Sequence, residues 1–180
     1  MNRVPDALVQ TLWYQCFRIC KVWAISSALD ECVAAFKDEK DAGILTTTHI
    51  YLLVGVALPL WLLPAGNPIS LTTYSGVIAV GFGDTAASLV GSCGRIRWSG
   101  SKKTVEGTVA ALIAQLLASV AIWYYLNSPQ ILTLPEVLIL TLISATVALV
   151  EAKVQDIDNL VLPIYHHTLM LFAKVLYPRL

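Results

Sequence analysis

The sequence predicts an all-α protein, a polytopic integral membrane helical bundle with about five to six membrane helices. Three observations predict it. Of the 180 residues, 57% are hydrophobic and only 13% charged, and the mean hydropathy is +0.69; soluble domains carry roughly 25% charged residues. Four windows, 44–63, 71–92, 108–126 and 131–150, each supply the roughly 20 largely apolar residues that a helix needs to cross a bilayer, and 160–176 is a fifth, shorter one. The charges gather between the windows rather than within them.

Ahead of the windows, Leu8, Leu12, Phe17, Val22, Ile25, Leu29 and Val33 recur at helical spacing, interrupted by Arg18, Lys21, Asp30 and Glu31. Residues 1–43 therefore read as an N-terminal helix and an acidic loop, and 44–180 as one membrane domain. The start of the chain shows no small-residue cleavage site, so the spans are expected to act as their own targeting signals. Cys16, Cys20, Cys32 and Cys93 make no disulfide framework; Cys16 and Cys20 share a helix face, as packing residues do.

The connections sort by polarity. Residues 64–70 and 127–130 hold no charge, whereas 36–43, 95–107 and 151–159 hold five, five and four. If each window crosses once, all three charged connections fall on one face. Arg95, Arg97, Lys102 and Lys103 assign that face to the cytoplasm by the positive-inside rule. Lys174 and Arg179 then fall on the far side, against the rule. The 12 basic and 12 acidic residues cancel, and nothing in the balance points to nucleic acid.

The richest stretch for chemistry is GFGDTAASLVGSCGRIRWSGSKKTVEG, residues 81–107. Asp84 lies inside an apolar window, where a carboxylate costs roughly 2.5–3.5 kcal/mol unless it meets protein or water. Gly81 and Gly83 just before it predict a weakened or broken helix. Ser88, Gly91, Ser92 and Gly94 give a small-residue face suited to close helix approach. Arg97, Lys102 and Lys103 then supply charge, Gly100 permits close backbone approach, and Ser101 and Thr104 offer hydroxyls before a helix beginning near Val105. Phosphates bind at such helix starts. A P-loop is excluded, because the glycine spacing differs and no strand precedes it. At the end of the fourth window, Glu151, Asp156 and Asp158 supply oxygen ligands of the kind Mg²⁺ shares with substrate phosphates. His49, His166 and His167 read as packing residues; the adjacent pair is expected to point to different helix faces.

GDTAAS, GRIRWSGSKKTVEGT and EAKVQDIDNLVLP, with FKDEKDAGIL and THIYLLVGVALPLWL upstream, resemble the polyprenol kinases over about residues 36–165. The resemblance is to the C-terminal catalytic part of that family, whose longer members carry many more spans ahead of it. It implies an endoplasmic-reticulum membrane enzyme, active site towards the cytoplasm, that moves the γ-phosphate of CTP to the terminal hydroxyl of a polyprenol such as dolichol, for N-glycosylation. It further implies a CTP-binding loop at Arg97, Gly100, Ser101, Lys102, Lys103, Thr104 and Gly107, and catalytic carboxylates among Asp84, Glu106 and Asp158. Glu151, Asp156 and Asp158 become the metal set, for Mg²⁺ or another divalent cation. Asp84 is left as base or as metal ligand. Where the family usually has Trp-Pro-Gly, this chain has Trp98, Ser99 and Gly100, which loosens the loop. The expected partners are CTP, the lipid alcohol and membrane lipid; no protein partner is indicated. Kinases of phytol, farnesol or diacylglycerol, and a catalytically silent membrane subunit, are the alternatives.

Overall fold

The structure, a computed structural model, describes residues 48–127, 130–154 and 158–180. The proposed helix within 1–43, its cysteines and Asp156 lie outside the described residues. Five α-helices are described: α1 (Thr48–Trp61), α2 (Thr85–Gly91), α3 (Val105–Asn127), α4 (Leu134–Lys153) and α5 (Asp158–Leu176). A 3₁₀ turn, Leu71–Tyr74, and a π-helical segment, Val77–Asp84, lead without interruption into α2. No strand is present among the described residues, and the fold is all-helical.

α3 and α4 are the two described helices long and apolar enough to cross a membrane; Ile50–Trp61 and Val77–Gly91 are shorter apolar stretches. Both long helices start where local chemistry dictates. The Thr104 hydroxyl accepts the Gly107 N–H at 3.2 Å, capping α3 in the manner of an N-cap threonine. At the start of α4, the Glu136 carboxylate reaches back to the Thr133 N–H at 2.7 Å and its hydroxyl at 2.8 Å. The spacing Thr133-x-x-Glu136 before an apolar run is legible in the sequence.

The helix expected to weaken or break at Gly81 and Gly83 is not broken there. The chain instead widens to π-helical turns from Val77 to Asp84 and continues as α2, with the Thr85 hydroxyl donating five residues back to the Val80 carbonyl at 3.4 Å. Widened turns absorb the glycines without ending the helix.

Packing is described for the compact unit Gly55–Leu180. α3 is central, packing against α2, α4 and the π-helical segment, while α5 packs on α4 and on that segment. The core joins Leu71, Ile78 and Ala79 to Ala118, Trp123, Leu140, Ile143, Val147, Leu162 and Met170. Glycines set the closest approaches. A Cβ on Gly107 would lie 2.8 Å from the Ala87 carbonyl oxygen and 3.2 Å from Gly91 Cα, so α2 and α3 cross nearly backbone to backbone.

α5 is held by the histidines. His166 Nδ1 donates to the Ser75 carbonyl at 3.1 Å, and His167 Nδ1 to the Thr72 carbonyl at 3.0 Å, with the Ser75 hydroxyl 3.1 Å away. Both are buried packing residues, as expected; they stand on adjacent helix positions, and one turn supplies a carbonyl to each. At this end of the molecule Lys174 donates to the Ser70 hydroxyl at 3.0 Å, and Arg179 lies 3.6 Å from buried Glu136 and 3.2 Å from Gln130. The two cations that defied the positive-inside pattern are therefore engaged by local partners.

Candidate functional site

Residues 95–105 form a tight hairpin at the opposite end of the α3–α4 pair. Arg97 and Thr104 bridge across it, Trp98 N–H donates to the Lys103 carbonyl at 3.1 Å, and Val105 N–H to the Ile96 carbonyl at 2.8 Å. Ser101 N–H closes the tip on the Trp98 carbonyl at 3.1 Å, with Gly100 at φ +77°. Gly100 thus occupies the position of a β-turn that demands a positive φ.

The hairpin is tied to the helices on two sides. Glu106 Oε1 accepts the N–H groups of Arg95 and Ile96 at 2.9 and 3.1 Å, fixing the entering arm of the hairpin. The Trp98 indole donates to the Thr108 hydroxyl at 2.9 Å, and Lys153 of α4 stands 5.9 Å from the centre of the indole ring. Lys103 Nζ lies 3.7 Å from Glu151, a residue only 3% exposed. This contact brings the basic hairpin and the acidic end of α4 together.

Between hairpin, α2 and α3 lies a cavity of about 460 Å³. Arg97, Lys102 and Lys103 line it with Ser88, Ser92, Thr104 and Thr108, with Gly91, Gly94 and Gly107, and with the carboxylates Asp84 and Glu151. Three cations, two carboxylates and several hydroxyls facing one space suit a polyanion with a polar reacting end. The tight contacts keep that space open: a Cβ on Gly94 would lie 2.7 Å from the Thr104 hydroxyl and 3.1 Å from Glu106.

The structure brings together Asp84, Arg97, Lys102, Lys103, Thr104, Gly107 and Glu151 from the sequence-predicted set. Glu106 is placed otherwise: it is not among the lining residues, and its carboxylate is engaged with hairpin backbone, a positioning task. Gly100 and Ser101 form the turn rather than the wall, and the Ser101 hydroxyl accepts the Lys103 N–H at 3.1 Å. Asp158 opens α5, Asp156 lies outside the described residues, and no group of three metal-ligating side chains occurs among those described. The helix start at Val105 is also less open to an anion than expected, since Thr104 already takes the Gly107 N–H.

Sequence reasoning left Ala87 out of the site, took Thr108 only as the end of the matched CTP-binding loop, and gave Ser88, Gly91, Ser92 and Gly94 only a packing face. Their signal was helical spacing: Ser88, Gly91 and Ser92 follow Asp84 at four, seven and eight residues, and Thr108 follows Thr104 at four.

No family model matches the chain. No solved structure matches it. Curated relatives do. The chain is 44% identical over 157 residues to dolichol kinase of Homo sapiens, covering 82% of this chain and 29% of the relative. It is 32% identical over 167 residues to dolichol kinase EVAN of Arabidopsis thaliana, with shares of 91% and 29%. With dolichol kinase of Saccharomyces cerevisiae it is 35% identical over 120 residues, with shares of 61% and 22%. The chain therefore spans somewhat under a third of the length of these relatives.

Proposed function

From the homology of this chain to a portion of the dolichol kinases, we propose that it carries the CTP site and the phosphoryl-transfer chemistry of such an enzyme. The γ-phosphate of CTP passes to the terminal hydroxyl of dolichol, giving dolichyl phosphate for N-glycosylation. The observation that carries this reading is the cavity itself, lined by the hairpin cations together with Asp84 and Glu151, on a protein with two helices of membrane-spanning length.

In this reading Arg97, Lys102 and Lys103 bind the triphosphate and offset the charge that spreads over its oxygens in transfer. Asp84, a carboxylate of the same lining, takes the proton of the attacking hydroxyl. Glu151 is a hard oxygen donor of the kind Mg²⁺ takes when substrate phosphates and water complete its shell. Glu151 would hold that ion, which supplies charge neutralisation at the phosphates. Thr108 and Trp98 keep the hairpin seated on α3, so the cations hold their places while nucleotides exchange.

The surroundings support a lipid substrate. Leu89, Leu117, Leu138, Leu142 and Val175 are all at least 60% exposed, an outward apolar surface that lipid covers. The full reading is a bundle of about five to six membrane helices in the endoplasmic reticulum, its cationic hairpin towards the cytoplasm where CTP is found.

The test is CTP binding by purified chain. Lys102→Ala and Lys103→Ala are each expected to weaken it about ten- to a hundredfold, the worth of a charge-assisted contact. Lys174→Ala, at the other end of the molecule, should leave it unchanged. Equal affinity in all three variants would sink the assignment of the hairpin to the nucleotide.

A further inference from the structure

One ion pair in the cavity joins groups that the proposed chemistry uses separately. Lys103 Nζ stands 3.7 Å from Glu151 Oε1, and both residues line the space assigned to the nucleotide. The Glu151 side chain is only 3% exposed, so its charge needs a cation beside it; a buried carboxylate stripped of its counter-ion is strongly destabilising. That need conflicts with the task of the site. Lys103 cannot give its charge fully to Glu151 and to a triphosphate at once, and Glu151 without a cation repels the incoming polyanion.

The surroundings of the pair decide which partner moves. The Lys103 backbone is fixed in the hairpin: its carbonyl accepts the Trp98 N–H at 3.1 Å, and its N–H donates to the Ser101 hydroxyl at 3.1 Å. Its side chain is 27% exposed and ends a flexible four-carbon stem, and 3.7 Å is longer than a hydrogen bond. The ammonium can therefore leave the carboxylate without breaking either backbone bond. Glu151 has no such latitude, because it belongs to the buried face of α4 with Ser144, Val147 and Ala148.

We propose that Glu151 makes the site selective for a nucleotide that carries a divalent cation, Lys103 serving as its counter-ion until such a nucleotide binds. This rests on the phosphoryl-transfer reading and adds to it the reason a metal-free triphosphate is refused. Lys103 turns to the phosphates, and Glu151 keeps a positive partner because the nucleotide brings one. Metal-free CTP offers Glu151 nothing in exchange, so it either leaves Lys103 on the carboxylate or sets its own phosphates against that charge. Glu151 is thereby a specificity-determining residue as well as an oxygen donor, and metal and nucleotide strengthen each other's binding by one common factor.

The experiment is equilibrium binding of CTP to the purified full chain in nanodiscs of zwitterionic lipid, with Mg²⁺ and with a chelator in its place. The wild type is expected to bind CTP about ten- to a hundredfold tighter with Mg²⁺. Glu151→Gln keeps the size of the side chain and removes its charge, so Lys103 is released to the phosphates. Metal-free CTP should then bind at least about tenfold tighter than to wild type, the scale of one charge-assisted contact, and the preference for Mg²⁺ should vanish. Should that variant not fold, Lys103→Gln purified in Mg²⁺ reads the other half of the exchange. Mn²⁺ without nucleotide, followed by paramagnetic resonance, should bind it about tenfold tighter than wild type, because Glu151 has no lysine to give up. Wild type that binds CTP alike in both conditions overturns the proposal. So does a Mg²⁺ preference that Glu151→Gln retains, or Mn²⁺ affinity that Lys103→Gln leaves unchanged. Folded wild type that binds CTP in neither condition overturns the phosphoryl-transfer reading itself.

Discussion

Replacing Gly107 by alanine tests whether the cavity depends on the near-backbone crossing of α2 and α3. The new methyl would meet the Ala87 carbonyl oxygen at 2.8 Å, the Thr104 hydroxyl at 3.0 Å and Gly91 Cα at 3.2 Å. Two of these are backbone atoms of the facing helix, which cannot rotate away. Overpacking of this kind costs about 1–3 kcal/mol. Displacing Thr104 also threatens its cap on the Gly107 N–H, worth about 0.5–2 kcal/mol. Alanine's helix preference over glycine returns about 1 kcal/mol, leaving a net loss of about 2 kcal/mol. Gly81→Ala is the control: its methyl would meet only Val77 Cγ1 at 3.4 Å, an ordinary contact, so stability should hold or rise by up to about 1 kcal/mol. Chemical unfolding of detergent-solubilised protein, followed by tryptophan fluorescence, compares the two. Gly107→Ala as stable as wild type would refute the crossing as described.

Glu106→Ala should leave the core intact but loosen the hairpin, because the Arg95 and Ile96 N–H groups lose their acceptor; hydrogen exchange should quicken at those amides and not in α4. Ser99→Pro fills the turn position next to Gly100 where proline's fixed φ fits, and should stabilise the chain by about 0.4–1 kcal/mol, read as a rise in unfolding midpoint.

Much of this was legible from residues taken a few at a time. The windows at 108–126 and 131–150 declare themselves by length and apolarity, and Thr104 announces the start of α3, because capping and span length are local properties. The gathering of Asp84, the hairpin cations and Glu151 was legible from their placement at one side of successive spans. What failed depended on tertiary neighbours. Gly81 and Gly83 signal weakness in a helix but do not distinguish a break from π-helical widening. Glu106 reads as one more carboxylate beside a basic loop until the folded hairpin turns two backbone N–H groups towards it. His166 and His167 read correctly as packing residues, but only the folded turn at Thr72–Ser75 shows which carbonyls their rings bond.

The central claim is that one cavity carries CTP against the hairpin cations and a lipid hydroxyl beside Asp84. The direct measurement follows radiolabelled γ-phosphate from CTP into extracted lipid, using purified wild type and Asp84→Asn at equal abundance. Asparagine keeps the size and hydrogen-bonding capacity of Asp84 but cannot take the proton. The account predicts label in dolichyl phosphate with the wild type and at least about a hundredfold less with Asp84→Asn, the scale of a lost general base. Equal labelling by the two proteins, or no labelling by folded wild type, would contradict it.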